Sequence, residues 1–169
     1  MASALVVGIL AWLHILSAIG WLGSDIVLLI GMEPRLGKLS AAARDEFTTT
    51  VSPRINKMEM FFASATILFG LLFLYEFTGG DLSLISPSTQ WGLAIMAGAT
   101  LGFVAFLLEA FVDYPAEKMI IEIVRDMRAN NRAPPPELSK YHERSEMVEI
   151  AVIILLFAAV TFMVAAGQL

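Results

Sequence analysis

The chain contains no cysteine and only two histidines, His14 and His142. The missing cysteines exclude disulfide bonds, thiolate-ligated metals and thiol redox chemistry. Charged residues are also scarce, at 16% of the chain, against roughly 25% in soluble proteins. Since hydrophobic residues make up 57% of the sequence, the composition excludes an ordinary soluble domain and indicates a membrane protein.

Long apolar runs account for most of the sequence. Four of them approach or exceed the roughly 20 residues that a spanning helix needs, and they cover residues 4–31, 58–77, 91–112 and 147–167. No stretch shows the two-residue alternation of membrane β-barrel strands. The sequence therefore predicts an all-α integral membrane protein, a single domain over 1–169 with four transmembrane helices in an antiparallel up-down bundle.

The basic residues are divided unevenly between the loops. All 11 lie in the first and third loops, as Arg35, Lys38, Arg44, Arg54, Lys57, Lys118, Arg125, Arg128, Arg132, Lys140 and Arg144. Cytoplasmic loops of membrane proteins are enriched in Lys and Arg. We therefore predict a multi-pass protein of the cell membrane, with loops one and three in the cytoplasm and both termini outside.

Each of these two loops is expected to hold a helix. In the first, Ser40 is suited to an N-cap, and Pro53 is expected to restart the chain before span two. In the third, apolar residues at 119, 120, 123, 124 and 127 recur with helical spacing. They predict a cytoplasmic amphipathic extension of the third helix, beyond a bend at Pro115.

The first span carries two ionisable residues on one helical face. His14, Trp21 and Asp25 are separated by seven and four residues, spacings that place them in one stripe. At 1.5 Å per residue, His14 lies about 15 Å deep and Asp25 about 16 Å further inward. Two readings of His14 stay open, because a buried imidazole can bond a neighbouring helix or ligate a metal.

The inner ends of the four spans add further ionisable residues, of which Asp25, Glu59, Glu109 and Glu149 are expected at a similar depth. The set comprises Asp25, Glu59, Glu109, Asp113, His142, Glu146 and Glu149. One interpretation is a site for a metal ion or for protons, since carboxylates and imidazole suit hard cations. The other is a ring of salt bridges to the basic residues close by, whose long side chains reach such positions easily. The sequence favours the salt bridges.

Small residues line the third span at Gly98 and Gly102. A G-x-x-x-G spacing usually allows two helices to approach closely. It could equally leave room for a flat macrocycle beside His14. A thioether such as Met96 or Met163 could then complete the coordination of an iron held by the histidine.

The stretch from His14 to Gly23 reads HILSAIGWLG and resembles the first helix of a superfamily of small four-helix membrane proteins. This group includes the haem-containing protoporphyrinogen oxidase of bacteria and the copper-resistance D family. The motif is His14, six residues, Trp21, one residue and Gly23. The resemblance implies that His14 ligates haem b. Trp21 and Gly23 of the motif, with Gly98 and Gly102 of span three, are the residues expected to line the site. The oxidase pairs its histidine with a lysine in the third helix, and span three here has none.

Three functions follow as hypotheses. The first is a haem-b redox protein that exchanges electrons with a quinone or a membrane partner. The second is a non-catalytic accessory subunit of a larger membrane complex, and the third is a carboxylate-lined ion or copper transporter. No nucleotide-binding loop, hydrolase motif or nucleic-acid motif occurs, so the lipid bilayer is the expected surrounding and nucleic acid is not an expected partner.

Overall fold

A computed structural model describes residues 3–168, and in this range every regular element is helical. The predicted domain ends at 1 and 169 lie outside the described residues. The helices are α1 (Ala4–Ile26), α2 (Glu33–Leu36), α3 (Ala41–Glu46), α4 (Ser52–Phe77), α5 (Gln90–Leu108), α6 (Tyr114–Asn130) and α7 (Pro136–Ala166). Between them lie three π-helical segments and a short 3-10 turn, at Val27–Met32, Phe47–Val51, Glu109–Asp113 and Leu82–Leu84.

Each predicted span corresponds to a longer continuous helical stretch, which we call a rod. The rods run over Ala4–Leu36, Ala41–Phe77, Gln90–Asn130 and Pro136–Ala166, and each is long and apolar enough to cross a membrane. Four helices long and apolar enough to span a membrane are thus found within residues 3–168, as predicted. Each rod is longer than its apolar run, because helix continues through the polar residues that flank it.

A proline follows each π-helical segment by two residues. The segments end at Met32, Val51 and Asp113, and the prolines are Pro34, Pro53 and Pro115. Proline lacks an N–H, and its ring clashes with the carbonyl one turn earlier. A π-turn relieves this conflict by widening the helix locally. Thus the expectation that Pro53 restarts the chain is wrong, because Pro53 lies inside a continuous helix. That helix is capped by Ser40, whose side chain accepts from the Ala43 N–H at 3.3 Å.

Helices α1 and α4 form one closely packed antiparallel pair. A ring from each helix lies against a glycine of the other, His14 on Gly70 and Phe62 on Gly20. A Cβ placed on Gly70 would lie 2.8 Å from His14 Nδ1, and one on Gly20 would lie 2.8 Å from the Phe62 ring. Both glycines are therefore needed for the observed approach, which fixes the register of the pair.

Helices α5 and α7 form the second pair, in which Gly98 is the point of close approach. A Cβ on Gly98 would lie 3.0 Å from Met163 Cε and 3.2 Å from the carbonyl oxygen of Ala159. Gly102 faces open space, since nothing lies within 4 Å of a Cβ there. The small-residue stripe of span three therefore packs on α7 at Gly98.

Replacement of these two glycines by leucine is expected to separate their roles. Gly98→Leu forces α5 away from the α7 backbone, and overpacking of this kind costs about 1–3 kcal/mol. Gly102→Leu is expected to leave the midpoint of thermal unfolding in detergent unchanged or slightly raised, because leucine is the better helix former. Equal midpoints for the two variants would contradict the packing role of Gly98.

The two pairs meet around Trp21, whose side chain is fully buried. It packs in one cluster with Ala63 of α4, Ala105 of α5, and Val152 and Leu156 of α7. The small alanines leave room for the indole, so one large side chain fills the centre of the bundle. The bundle is thus closed near its middle by an apolar layer.

The predicted amphipathic extension is confirmed as α6, which continues the α5 rod. Its buried residues are Ala116, Ile120, Ile121 and Val124, and it packs on the first part of α7 and the start of α4. Arg125 Nη2 also donates to the carbonyl oxygen of Thr49 at 3.2 Å. Helix α6 therefore belongs to the bundle and covers one end of it. Since all 11 basic residues lie at this end, we call it the basic end.

Candidate functional site

His14 is bound to the neighbouring helix by one specific hydrogen bond. Its Nδ1 lies 2.8 Å from the carbonyl oxygen of Thr66. Since a carbonyl oxygen can only accept, Nδ1 carries the hydrogen and donates. In the neutral imidazole, Nε2 then keeps its lone pair and is the atom able to accept a hydrogen bond or ligate a metal.

Gly70 makes this bond possible. It lies one turn beyond Thr66 in α4, and a Cβ there would come within 2.9 Å of both Nδ1 and Cε1 of His14. Any larger residue would displace the ring from the Thr66 carbonyl. His14 itself is half-buried, so its hydrogen bond is in place while part of the ring faces the surroundings of the bundle.

The other residues predicted to line a haem site differ in their surroundings. Trp21 lies in the central apolar layer, and Gly98 packs against Met163 and Ala159 of α7. Gly23, like Gly102, has nothing within 4 Å of the position that a Cβ would take. These contacts explain Trp21 and Gly98 by helix packing, whereas His14 keeps a geometry suited to a ligand.

The predicted layer of carboxyl groups lies inside the bundle, one turn from the apolar layer towards the basic end. Four of its members are nearly inaccessible: Asp25 is 3% exposed, Glu59 6%, Glu109 4% and Asp113 4%. Glu149 is half-buried, and its Oε2 is shielded. We call Asp25, Glu59, Glu109, Asp113 and Glu149 the carboxyl cluster. Every long rod contributes to it, as expected from their equal depth in the sequence.

The predicted salt bridges to this layer are absent from the described residues. The ion pair found between 3 and 168 is Arg132 Nη1 to Asp126 Oδ2 at 3.2 Å, on the surface of the basic end. The prediction is wrong because the nearby basic side chains have other surroundings. Arg54, Lys57 and Arg144 are exposed, while Lys118 lies 4.6 Å from the Tyr114 ring centre.

His142 and Glu146, which the sequence places with the carboxylates, are both exposed. They lie on the part of α7 that extends past the core. In their place the structure brings in Ser145, which is 3% exposed and lies one turn before Glu149. Its Oγ contacts Asp113 Oδ1, and lies 3.1 Å from Oε1 of Glu117.

Asn56 is a second polar residue that the sequence reasoning missed. It is 8% exposed, and its Nδ2 donates to Glu117 Oε2 at 3.4 Å. Asn56 lies three residues before Glu59, as Ser145 lies four before Glu149. This helical spacing places each residue on the same face as a predicted carboxylate, so it could have identified both of them from the sequence.

The carboxyl cluster is not arranged as a metal site: within the described range, no three His, Asp or Glu residues are placed to hold one ion.

Three polar atoms of the described residues have very little accessible surface and no hydrogen-bond partner. They are Trp21 Nε1, Asp25 Oδ2 and Glu149 Oε2. Buried polar atoms without a partner are rare in folded proteins. Their positions in and beside the cluster mark it as the most unusual polar region of the bundle.

Comparison of the chain with known proteins gives no match among protein-family models, curated proteins or solved structures. Over residues 3–168 the protein is all-helical, with four apolar helices of membrane-spanning length.

Proposed function

We propose that the protein is a multi-pass membrane protein that binds haem b through His14 and serves in electron transfer. In this proposal the basic end faces the cytoplasm, because Lys and Arg are retained on that side. The observation that carries the haem assignment is the hydrogen bond from His14 Nδ1 to the Thr66 carbonyl. Metal-ligating histidines nearly always donate their second ring hydrogen in this way.

The donor set fits a haem held by one histidine. Thr66 orients the ring and raises the basicity of Nε2, while Gly70 allows the ring to reach that carbonyl. His142 cannot supply a second imidazole, because it is exposed at the basic end. Met96 and Met163 are the thioethers that would be candidates for a second ligand. When bound, haem supplies one-electron chemistry, exchanged with a quinone or a membrane partner.

The test is an absorption spectrum of protein purified from haem-replete membranes, together with iron analysis. We expect a Soret band and about one iron per chain in the wild type. His14→Ala is expected to lose both, since His14 would be the residue that holds the iron. The matched control is His142→Ala, which removes the other histidine and is expected to retain the spectrum.

A colourless, iron-free wild-type preparation contradicts the haem assignment. If that preparation also retains a second membrane protein in constant ratio, the accessory-subunit function replaces it. Equal loss of haem in His14→Ala and His142→Ala would also count against ligation by His14.

A further inference from the structure

The carboxyl cluster contains acidic groups without a positive partner. Asp25, Glu59, Glu109 and Asp113 are each at least 94% buried, and no ion pair reaches them within residues 3–168. The acidic neighbours of Glu59 are Asp25, Glu109, Asp113 and Glu117. A charged carboxylate is costly to remove from water unless it is paired. Like charges in a medium of low dielectric constant repel strongly.

Asp25 supplies an independent sign of a missing partner. Its side chain is 3% exposed and its Oδ2 has no hydrogen-bond donor. It lies within the cluster, because Glu59 and Glu109 have Asp25 as an acidic neighbour and Asp25 has Asp113. A buried acceptor in this position needs a hydrogen or a cation.

The hydrogen bonds of Ser145 indicate whether the cluster holds a proton or a cation. The Ser145 Oγ contacts a carboxyl oxygen of Asp113 and one of Glu117. A hydroxyl has one hydrogen to donate, and an ionised carboxylate has none. A proton on Asp113 or Glu117 gives each of these two contacts a hydrogen of its own. The occupant that this count indicates is a proton.

The surroundings of the cluster indicate the side from which protons arrive. Trp21, Ala63, Ala105 and Val152, all fully buried, lie one turn away in the four rods and seal the cluster towards the end opposite the basic one. On the basic side, Glu33 of α2 and Glu146 of α7 are exposed, and Glu33 has both Glu146 and Glu117 as acidic neighbours. Glu117 in turn contacts Ser145. Carboxyl groups thus continue from solvent to the cluster on that side.

We propose that the carboxyl cluster is a proton-binding site that exchanges protons with the aqueous phase at the basic end. Each binding event transfers a proton from hydronium to a carboxylate oxygen and leaves a neutral carboxylic acid and water. The titratable groups around the site are Asp25 from α1, Glu59 from α4, Glu109 and Asp113 from the π-helical segment after α5, Glu117 from α6 and Glu149 from α7, with the exposed Glu33 of α2 and Glu146 of α7 on its basic side. This inference is independent of the haem assignment.

Infrared difference spectroscopy of the purified protein tests the site directly, because protonated carboxylic acids have a carbonyl stretch distinct from that of carboxylates. We expect a carboxylic acid band at neutral pH that disappears when the sample is made strongly alkaline and returns on neutralisation. In Asp25→Asn and Glu59→Gln the band is expected to lose a clear fraction of its area. Glu137→Gln, which changes an exposed glutamate, is the matched control and is expected to leave the band intact.

Both variants keep the shape of the side chain, and their helix content is checked by circular dichroism. Should one fail to fold, Glu109→Gln serves in its place. A wild-type spectrum without a neutral-pH carboxylic acid band overturns the proposal, as does a band that persists unchanged in the folded variants. Binding of Mn²⁺ or Ca²⁺ that displaces the band at micromolar concentration also overturns it, in favour of a metal site.

Discussion

Replacing Trp21 by alanine is expected to destabilise the protein by about 3 kcal/mol, the lower end of the range for buried tryptophan. The indole is fully buried and contacts side chains from the other three rods. Its removal leaves a void between the α1–α4 and α5–α7 pairs. In a bilayer the helices already lie in an apolar medium, so lost packing contributes most of this cost.

Trp12→Ala is the matched control, because it makes the same change in the same helix at a residue that is 62% exposed. Its cost is expected to stay within about 0.5 kcal/mol, as for surface substitutions generally. The measurement is thermal or denaturant unfolding in detergent micelles. Equal shifts for Trp12→Ala and Trp21→Ala would show that Trp21 does not hold the two pairs together.

Trp21→Phe refines the same prediction. Phenylalanine keeps most of the ring volume but removes Nε1, which has no hydrogen-bond partner among the described atoms. An unpaired buried N–H costs about 1–3 kcal/mol, so this loss partly offsets the smaller ring. We expect Trp21→Phe to be much closer to wild type than Trp21→Ala.

The four-helix architecture was predictable because the length of an apolar run is a local property of the sequence. A spanning helix needs about 20 residues, and four such runs are present. The ends were not predictable in the same way. Helix continues beyond each apolar run wherever capping and flanking residues support it, as at Ser40 and in α6. The π-helical segments before Pro34, Pro53 and Pro115 were missed, although the prolines themselves were visible.

The depth of the carboxyl groups was predictable, whereas their partners were not. Depth follows from counting residues inward from the membrane boundary at 1.5 Å each. Partners depend on rotation of each helix about its axis, which packing decides. In α7 the buried face carries Ser145 and Val152, so Glu146, only one residue from Ser145, points away.

The bond from His14 to Thr66 illustrates the same limit. Helical spacing identifies His14 as an unusual residue of one face, but the register of α1 against α4 decides which carbonyl it meets. That register depends on the two contacts between a ring and a glycine, at Gly70 and Gly20. The sequence draws attention to Gly98 and Gly102 instead, because they form a G-x-x-x-G spacing. Gly70 belongs to no such motif.

Gly70→Leu is therefore expected to have a large effect on both stability and the state of His14. The new Cβ would occupy the space 2.8 Å from Nδ1, so the ring must move and the bond to the Thr66 carbonyl is lost. Leaving that donor unpaired costs about 1–3 kcal/mol, and overpacking adds to this cost. Gly8→Leu is the control, because a Cβ on Gly8 has nothing within 4 Å, and it is expected to unfold at or above the wild-type temperature.

A second comparison distinguishes loss of packing from loss of the histidine geometry. Gly20→Leu displaces the Phe62 ring, which lies in the same helix pair, and does not contact His14. It is therefore expected to destabilise the protein. Nδ1 of His14 is expected to remain the protonated nitrogen. Nitrogen NMR of labelled histidine, with His142→Ala to assign the signals, reports that nitrogen directly. Gly70→Leu should change the His14 signal and, if the haem assignment holds, remove the haem. If Gly70→Leu leaves the His14 signal at its wild-type position, Gly70 does not place the ring, and the bond to Thr66 forms without it.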